Sequence, residues 1–164
     1  MSEDILLRQW TETDWQIFRA IRLEALAAHP DVFAPLQNEA EQDESFWKER
    51  LQPKNAVFGL YDGEDVIGLT GVFRHKDSPD KGIVVMNYIR PEYRGRSVSG
   101  LFYQACIDWA QRQGDIRTLL VGFREGVEAT RLVSEKWGFT FLSTEQETFG
   151  DGETVKHYTY HLTI

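Results

Sequence analysis

The chain has 164 residues, and its 26 acidic side chains against 18 basic ones leave a formal charge of −8, with 41% apolar and 13% aromatic residues. A chain of this length can withdraw roughly 70% of its unfolded surface from water, so a core can form without a metal, and its one cysteine, Cys106, excludes a disulfide framework. The acid excess counts against nucleic acid as the main partner while leaving room for a local cationic pocket. The acidic opening Met1-Ser2-Glu3-Asp4 and the absence of any apolar run near the ~20 residues of a membrane span point to a soluble, cytoplasmic protein with no membrane partner.

No repeat, low-complexity tract or Gly/Ser linker divides the chain, so one domain over residues 1–164 is expected. Ile5 to Gln9 reads as a strand. Thr13, with Gln16 three residues on, predicts the N-cap of a helix whose apolar stripe includes Trp15, Phe18, Ile21 and Leu26. His29-Pro30 ends it. A polar stretch carrying Glu39, Glu41, Asp43 and Glu44 leads into a short helix with Phe46, Trp47 and Leu51. Ala56 to Tyr61 and Asp65 to His75 then form a hairpin turned at Asp62-Gly63. In the second half a strand over Gly82 to Ile89 precedes a helix over Ser97 to Gln113, stopped by Gly114. A strand over Thr118 to Phe123 precedes a helix over Val127 to Trp137, stopped by Gly138. Two last strands, near Thr140 to Thr148 and Thr154 to Leu162, turn through Gly150-Asp151-Gly152. This order predicts a mixed sheet with helices on its faces, in the α+β or α/β class.

The segment from Asn87 to Gly100 runs from a strand end through a turn into a helix start, where unpaired N–H groups and the helix dipole favour an anion. Gly95, Ser97, Ser99 and Gly100 would let a phosphate approach the backbone, and Arg90, Arg94 and Arg96 put cations beside it. That is the pattern of a pyrophosphate cradle; an exposed helix start with solvated arginines is the other reading. The segment has neither the Gly-Lys-Ser/Thr of a P-loop nor G-x-G-x-x-G.

Arg94-Gly95-Arg96-Ser97-Val98-Ser99, preceded by Ile89-Arg90-Pro91-Glu92-Tyr93, resembles the central signature of the GNAT superfamily of acyl-CoA-dependent N-acyltransferases, with serine at both later glycine positions. The stretch from Arg124 to Thr130 and the closing Glu135-Lys136-Trp137-Gly138-Phe139 resemble the family's next helix and its Gly-Phe end. The resemblance implies a mostly antiparallel mixed sheet whose central parallel pair splays apart. It implies acetyl-CoA as acyl donor, with pantetheine in the gap. The cofactor-binding residues it marks are Tyr88, Ile89, Arg94, Gly95, Arg96, Ser97, Val98, Ser99, Gly100, Val127 and Thr130.

The chain departs from the family at Val127, where asparagine is usual, at Phe123, where histidine is usual, and at Ser134, where many members carry a tyrosine that protonates the departing thiolate. Direct transfer to an amine needs a base, because an alkylamine is mostly ammonium near pH 7. Glu39 is the first candidate, its alternative being one member of a solvated acidic run; Asn87 or Tyr88 could instead hold a relaying water, with a bulged strand polarising the thioester carbonyl. The expected function is acetyl transfer to a primary amine of a small molecule or peptide, and the alternative is a CoA-binding sensor of the same fold. Acids at 39–44 and at Glu145, Glu147, Asp151 and Glu153 would favour a cationic acceptor unless they merely solvate loops. A homodimer stays open. His29, His75, His157 and His161 lack metal-ligand spacing, Cys106 reads as a packed thiol, and the tryptophans read as core, with Trp47 able to line a pocket.

Overall fold

A computed structural model describes residues 5–32, 38–95 and 98–164. Strand β1 (Ile5–Gln9) leads to helices α1 (Trp15–Ala28) and α2 (Glu44–Glu49), the hairpin β2 (Ala56–Asp62) and β3 (Asp65–Arg74), and β4 (Lys81–Ile89). Helix α3 (Ser99–Gln113), β5 (Thr118–Arg124), α4 (Glu128–Lys136), β6 (Thr140–Thr148) and β7 (Thr154–Thr163) complete the chain. The sheet order is β1-β2-β3-β4-β5-β7-β6. Every neighbouring pair is antiparallel except β4 with β5. The α+β class and the mostly antiparallel sheet with one parallel pair are as the sequence led us to expect.

Strand periodicity divides the core into two layers. Val57 and Leu69 face α1 and α2, packing with Phe18, Ile21 and Trp47. Ala56, Phe58 and Leu60, one residue out of phase, join Phe102, Cys106 and Trp109 of α3 on the opposite face. Trp47 is fully buried, edge-on to Phe18 and Phe46, so it belongs to the core. The first helix starts differently from the sequence reading. The Asp14 carboxylate accepts the backbone N–H of Thr11 at 2.8 Å, so the reciprocal cap belongs to Thr11 and Asp14, while the Thr13 hydroxyl pairs with that of Thr11. At the other end of the chain Gly138 takes φ +95°, and Phe139 donates its N–H back to Ser134 O at 3.0 Å. This left-handed stop is the one the Gly-Phe pair predicts.

Two features of the central strands matter for function. The β4–β5 register runs from Lys81↔Thr118 to Val84↔Val121 and ends there, while β5 continues to Arg124 against β7 alone. Beyond that point β4 bulges: Met86 and Asn87 together oppose Thr70 of β3, with Met86 at φ +63°. A bulge adds twist and bend to its strand, and β4 leaves its parallel partner at this bulge.

Candidate functional site

The gap between the diverging strands opens into a cleft of about 390 Å³. Its walls are largely apolar, with Val98 and Phe102 from the start of α3 facing Val127 and Val133 from the α4 side. One end is the turn into α3, where Arg94, Gly95 and Ser99 reach the cleft. Gly95 holds φ +77°, a conformation glycine adopts without cost. The bulged backbone of β4, with Asn87, Tyr88 and Ile89, lines the same cleft.

Of the residues the sequence singled out, Asn87, Tyr88, Ile89, Arg94, Gly95, Val98, Ser99, Val127 and Thr130 therefore line one cleft. Arg96 and Ser97 lie outside the described residues. Gly100 follows in the first turn of α3, where a Cβ would meet Trp137 Cζ2 at 3.6 Å. Glu39 is neither in the cleft nor solvated. It is 4% exposed in a short turn before α2, and both its oxygens are held by Arg22, so the acidic-run reading fails and its lone pairs are engaged. Phe123 sits beside the cleft in an aromatic cluster, 5.0 Å between ring centres from Tyr160.

Hydrogen bonds organise the polar side of the cleft. Thr70 donates its hydroxyl to Asn87 Oδ1 at 2.5 Å, which leaves the Asn87 amide nitrogen as a donor. The Tyr103 hydroxyl lies 3.1 Å from Ser134 Oγ, and both residues are almost wholly buried. Burial pushes the Tyr103 phenol above its ordinary pKa, a rise opposed by its hydrogen bonds to Ser134 and Asn87. Tyr88 donates its hydroxyl to Glu24 at 2.8 Å, and Arg90 grips the same carboxylate with two N–H groups. Burial first and the Glu24 carboxylate second push the Tyr88 phenol up to about 12, which suits a permanent donor.

Sequence reasoning missed Tyr103 and His29. Tyr103 follows Ser99 by four residues, so the helical period puts it on the face turned to the cleft, a usable signal. His29 reads locally as a helix end; only the tertiary fold carries it to Tyr88, 5.8 Å between ring centres, and to Arg94.

The family model described as Acetyltransferase (GNAT) domain matches residues 4–140. The chain belongs to the GNAT acetyltransferase family. Solved GNAT folds superpose along nearly its full length. The acetyltransferase of GNAT family from Streptococcus pneumoniae has TM-score 0.78 at 18% identity, covering 98% of this chain and 99% of that one. The yncA structure from Salmonella typhimurium, solved with its cofactor acetyl-CoA, has TM-score 0.78 at 15% identity, covering 98% and 94%. A ribosomal-protein-alanine N-acetyltransferase from Brucella melitensis has TM-score 0.77 at 17% identity, covering 97% and 99%. At these identities the likeness establishes the fold, and no curated protein matches the chain. Within the GNAT fold, the splayed strands and the turn into α3 suit an elongated ligand with an anionic end. No helix among the described residues is long and apolar enough to cross a membrane.

Proposed function

We propose that this chain is a cytoplasmic, single-domain N-acetyltransferase that moves an acetyl group from acetyl-CoA directly to a primary amine of a small molecule or peptide. The observation that carries the reading is the joining, in one apolar cleft, of the parted β4–β5 edge and the anion-suited start of α3. The bound acetyl-CoA of yncA and the protein substrate named for the Brucella enzyme agree with it.

When bound, acetyl-CoA supplies a thioester, an electrophilic carbonyl with a thiolate leaving group. Arg94 and the N–H groups entering α3 hold its pyrophosphate. Val98, Phe102 and Val133 exclude water along the pantetheine path. The edge of β4 released from β5 turns backbone donors toward the thioester oxygen, where negative charge develops. Tyr103, oriented by Ser134, donates a hydrogen bond to the departing sulfur. The family's usual acid position holds Ser134, and the phenol stands instead on the neighbouring helix.

The acid field on the acceptor side is thinner than the sequence suggests: Glu39 is paired with Arg22, Asp43 caps α2, Glu44 pairs with Lys48 and Asp151 pairs with Arg124. Glu41, Glu145 and Glu153 remain exposed to attract a cationic acceptor. Calorimetry with acetyl-CoA followed by an amine-library screen for CoA release tests the proposal. Tight acetyl-CoA binding with release is expected. Binding without release by any amine favours a CoA-binding module, and no binding removes the reading.

A further inference from the structure

His29 ends α1 and lines the cleft beside Tyr88. Arg94 reaches it across the cleft mouth: its Nη2 lies 2.7 Å from His29 Nε2, while its Nε donates to Ile89 O at 2.8 Å. A guanidinium has only donors, so Nε2 must be the acceptor and the imidazole the neutral tautomer with its proton on Nδ1. The segment carrying His29 is firmly seated. Arg124 donates to Asp31 O at 2.9 Å and pairs with Asp151 at 2.7 Å, and a Cβ on Gly150 would come within 2.8 Å of Pro30 O. The neutral imidazole thus has a fixed place in the cleft, and its lone pair is covered by a residue of the anion-binding turn.

We propose that His29 is the proton acceptor for the attacking amine, and that Arg94 covers its Nε2 until the donor's pyrophosphate draws the guanidinium away. The inference rests on the acetyl-CoA reading above. It makes the base available only after the donor binds. An ammonium proton passes to His29 Nε2 and the freed nitrogen pair forms the C–N bond. The C–S bond breaks with its pair leaving on sulfur, the second nitrogen proton ends on that sulfur, and His29 returns its proton to solvent. Imidazole, with an ordinary pKa of about 6.5, accepts from an α-amino group near 8 far more readily than a carboxylate near 4 does. The charged and titratable groups around His29 are Arg94 from the turn, Tyr88 from β4 with its partner Glu24, Asp31 on its own segment, and the Arg124–Asp151 pair from β5 and the β6–β7 turn.

Nitrogen-15 NMR titration of His29 tests the release without turnover. Saturating CoA should raise its pKa by about one unit, because a cation leaves and an anion arrives. Arg94→Ala should raise it in the free protein. The transfer step is read with the amine, from a panel of α-amino peptides and alkylamines, that releases CoA fastest. There His29→Gln should lose about a hundredfold in kcat and the acid limb of the pH profile, with CoA affinity unchanged, and imidazole should restore His29→Ala. CoA that binds without moving the His29 pKa overturns the release. A His29→Gln enzyme with full kcat, or a CoA-binding protein from which no amine in the panel releases CoA, overturns the base. Absence of CoA binding overturns the underlying acetyl-CoA reading instead.

Discussion

Arg22 and Glu39 form a two-pronged ion pair inside the molecule, Nε to Oε1 at 3.1 Å and Nη2 to Oε2 at 3.2 Å, with 8% and 3% of their side chains exposed. Arg19 adds a bond to Ala40 O at 2.9 Å, so α1 braces the turn over residues 39–41 from two positions. A carboxylate gripped in this way holds structure rather than accepting a substrate proton. Glu39→Gln should therefore destabilise the fold by about 3 kcal/mol, because it removes the carboxylate charge that grips a buried guanidinium. An apolar double replacement, Arg22→Met with Glu39→Leu, should recover most of that loss. Urea midpoints test the stability claim. A selective fall in kcat in a Glu39→Gln enzyme that stays folded would return Glu39 to the mechanism.

The turn into α3 distinguishes its two glycines. At Gly95, with φ +77°, valine is strained whatever the free space around it, so Gly95→Val should weaken acetyl-CoA by at least about tenfold. Gly100→Ala should bind acetyl-CoA as the parent does. Its new methyl would meet only Trp137 at van der Waals distance, and it should stabilise the first turn of α3 by a few tenths of a kcal/mol. Calorimetry on both variants decides the assignment, which equal losses would contradict.

The sequence carried the fold because its signals were local. Gly138-Phe139 announced a left-handed helix stop, and the strand read over Gly82 to Ile89 is β4. The start of α3 was legible to within two residues because helix-start chemistry is written in consecutive residues. What could not be read was pairing across distance. Arg22 and Glu39 are 17 positions apart, and His29 and Arg94 are 65 apart, so nothing local distinguishes a braced glutamate from a solvated one, or a covered histidine from a helix end. Tyr103 lies between these cases. Its position on the α3 face was available from the helical period, whereas its hydroxyl contact with Ser134 required the packing of α3 against α4.

Tyr103 should matter more than Ser134 to turnover. Tyr103→Phe removes the phenol from the cleft wall and should lower kcat by roughly ten- to a hundredfold while leaving acetyl-CoA affinity nearly unchanged. Ser134→Ala removes only the orienting hydroxyl and should lower kcat less than about tenfold. Because burial raises the Tyr103 pKa, the phenol stays protonated through neutral pH, and any alkaline limb it causes should lie above its ordinary value near 10. Ser134→Ala losing more activity than Tyr103→Phe would reverse the two roles.

Glu24 ties α1 to the end of β4, accepting two bonds from Arg90 at 2.8 and 2.9 Å and one from Tyr88 at 2.8 Å. The Arg90 bond is the main reason its carboxyl is held below the ordinary carboxylate range, against a partial desolvation that raises it. Since the folded-state pKa is the lower one, the stabilisation is fully present above the unfolded value of about 4.3 and disappears as pH falls through the folded value. Both partners of the ion pair are more than a third exposed, so the effect should be modest and weakened by salt. Thermal unfolding of the parent should therefore exceed that of Glu24→Gln at pH 6, with the gap narrowing in about 0.5 M salt and closing below about pH 3. The Arg90 guanidinium, its pKa raised by the same bond, remains charged throughout and contributes no second transition. A gap that persists undiminished at pH 2 would assign the Glu24 contribution to packing of its side chain rather than to its charge.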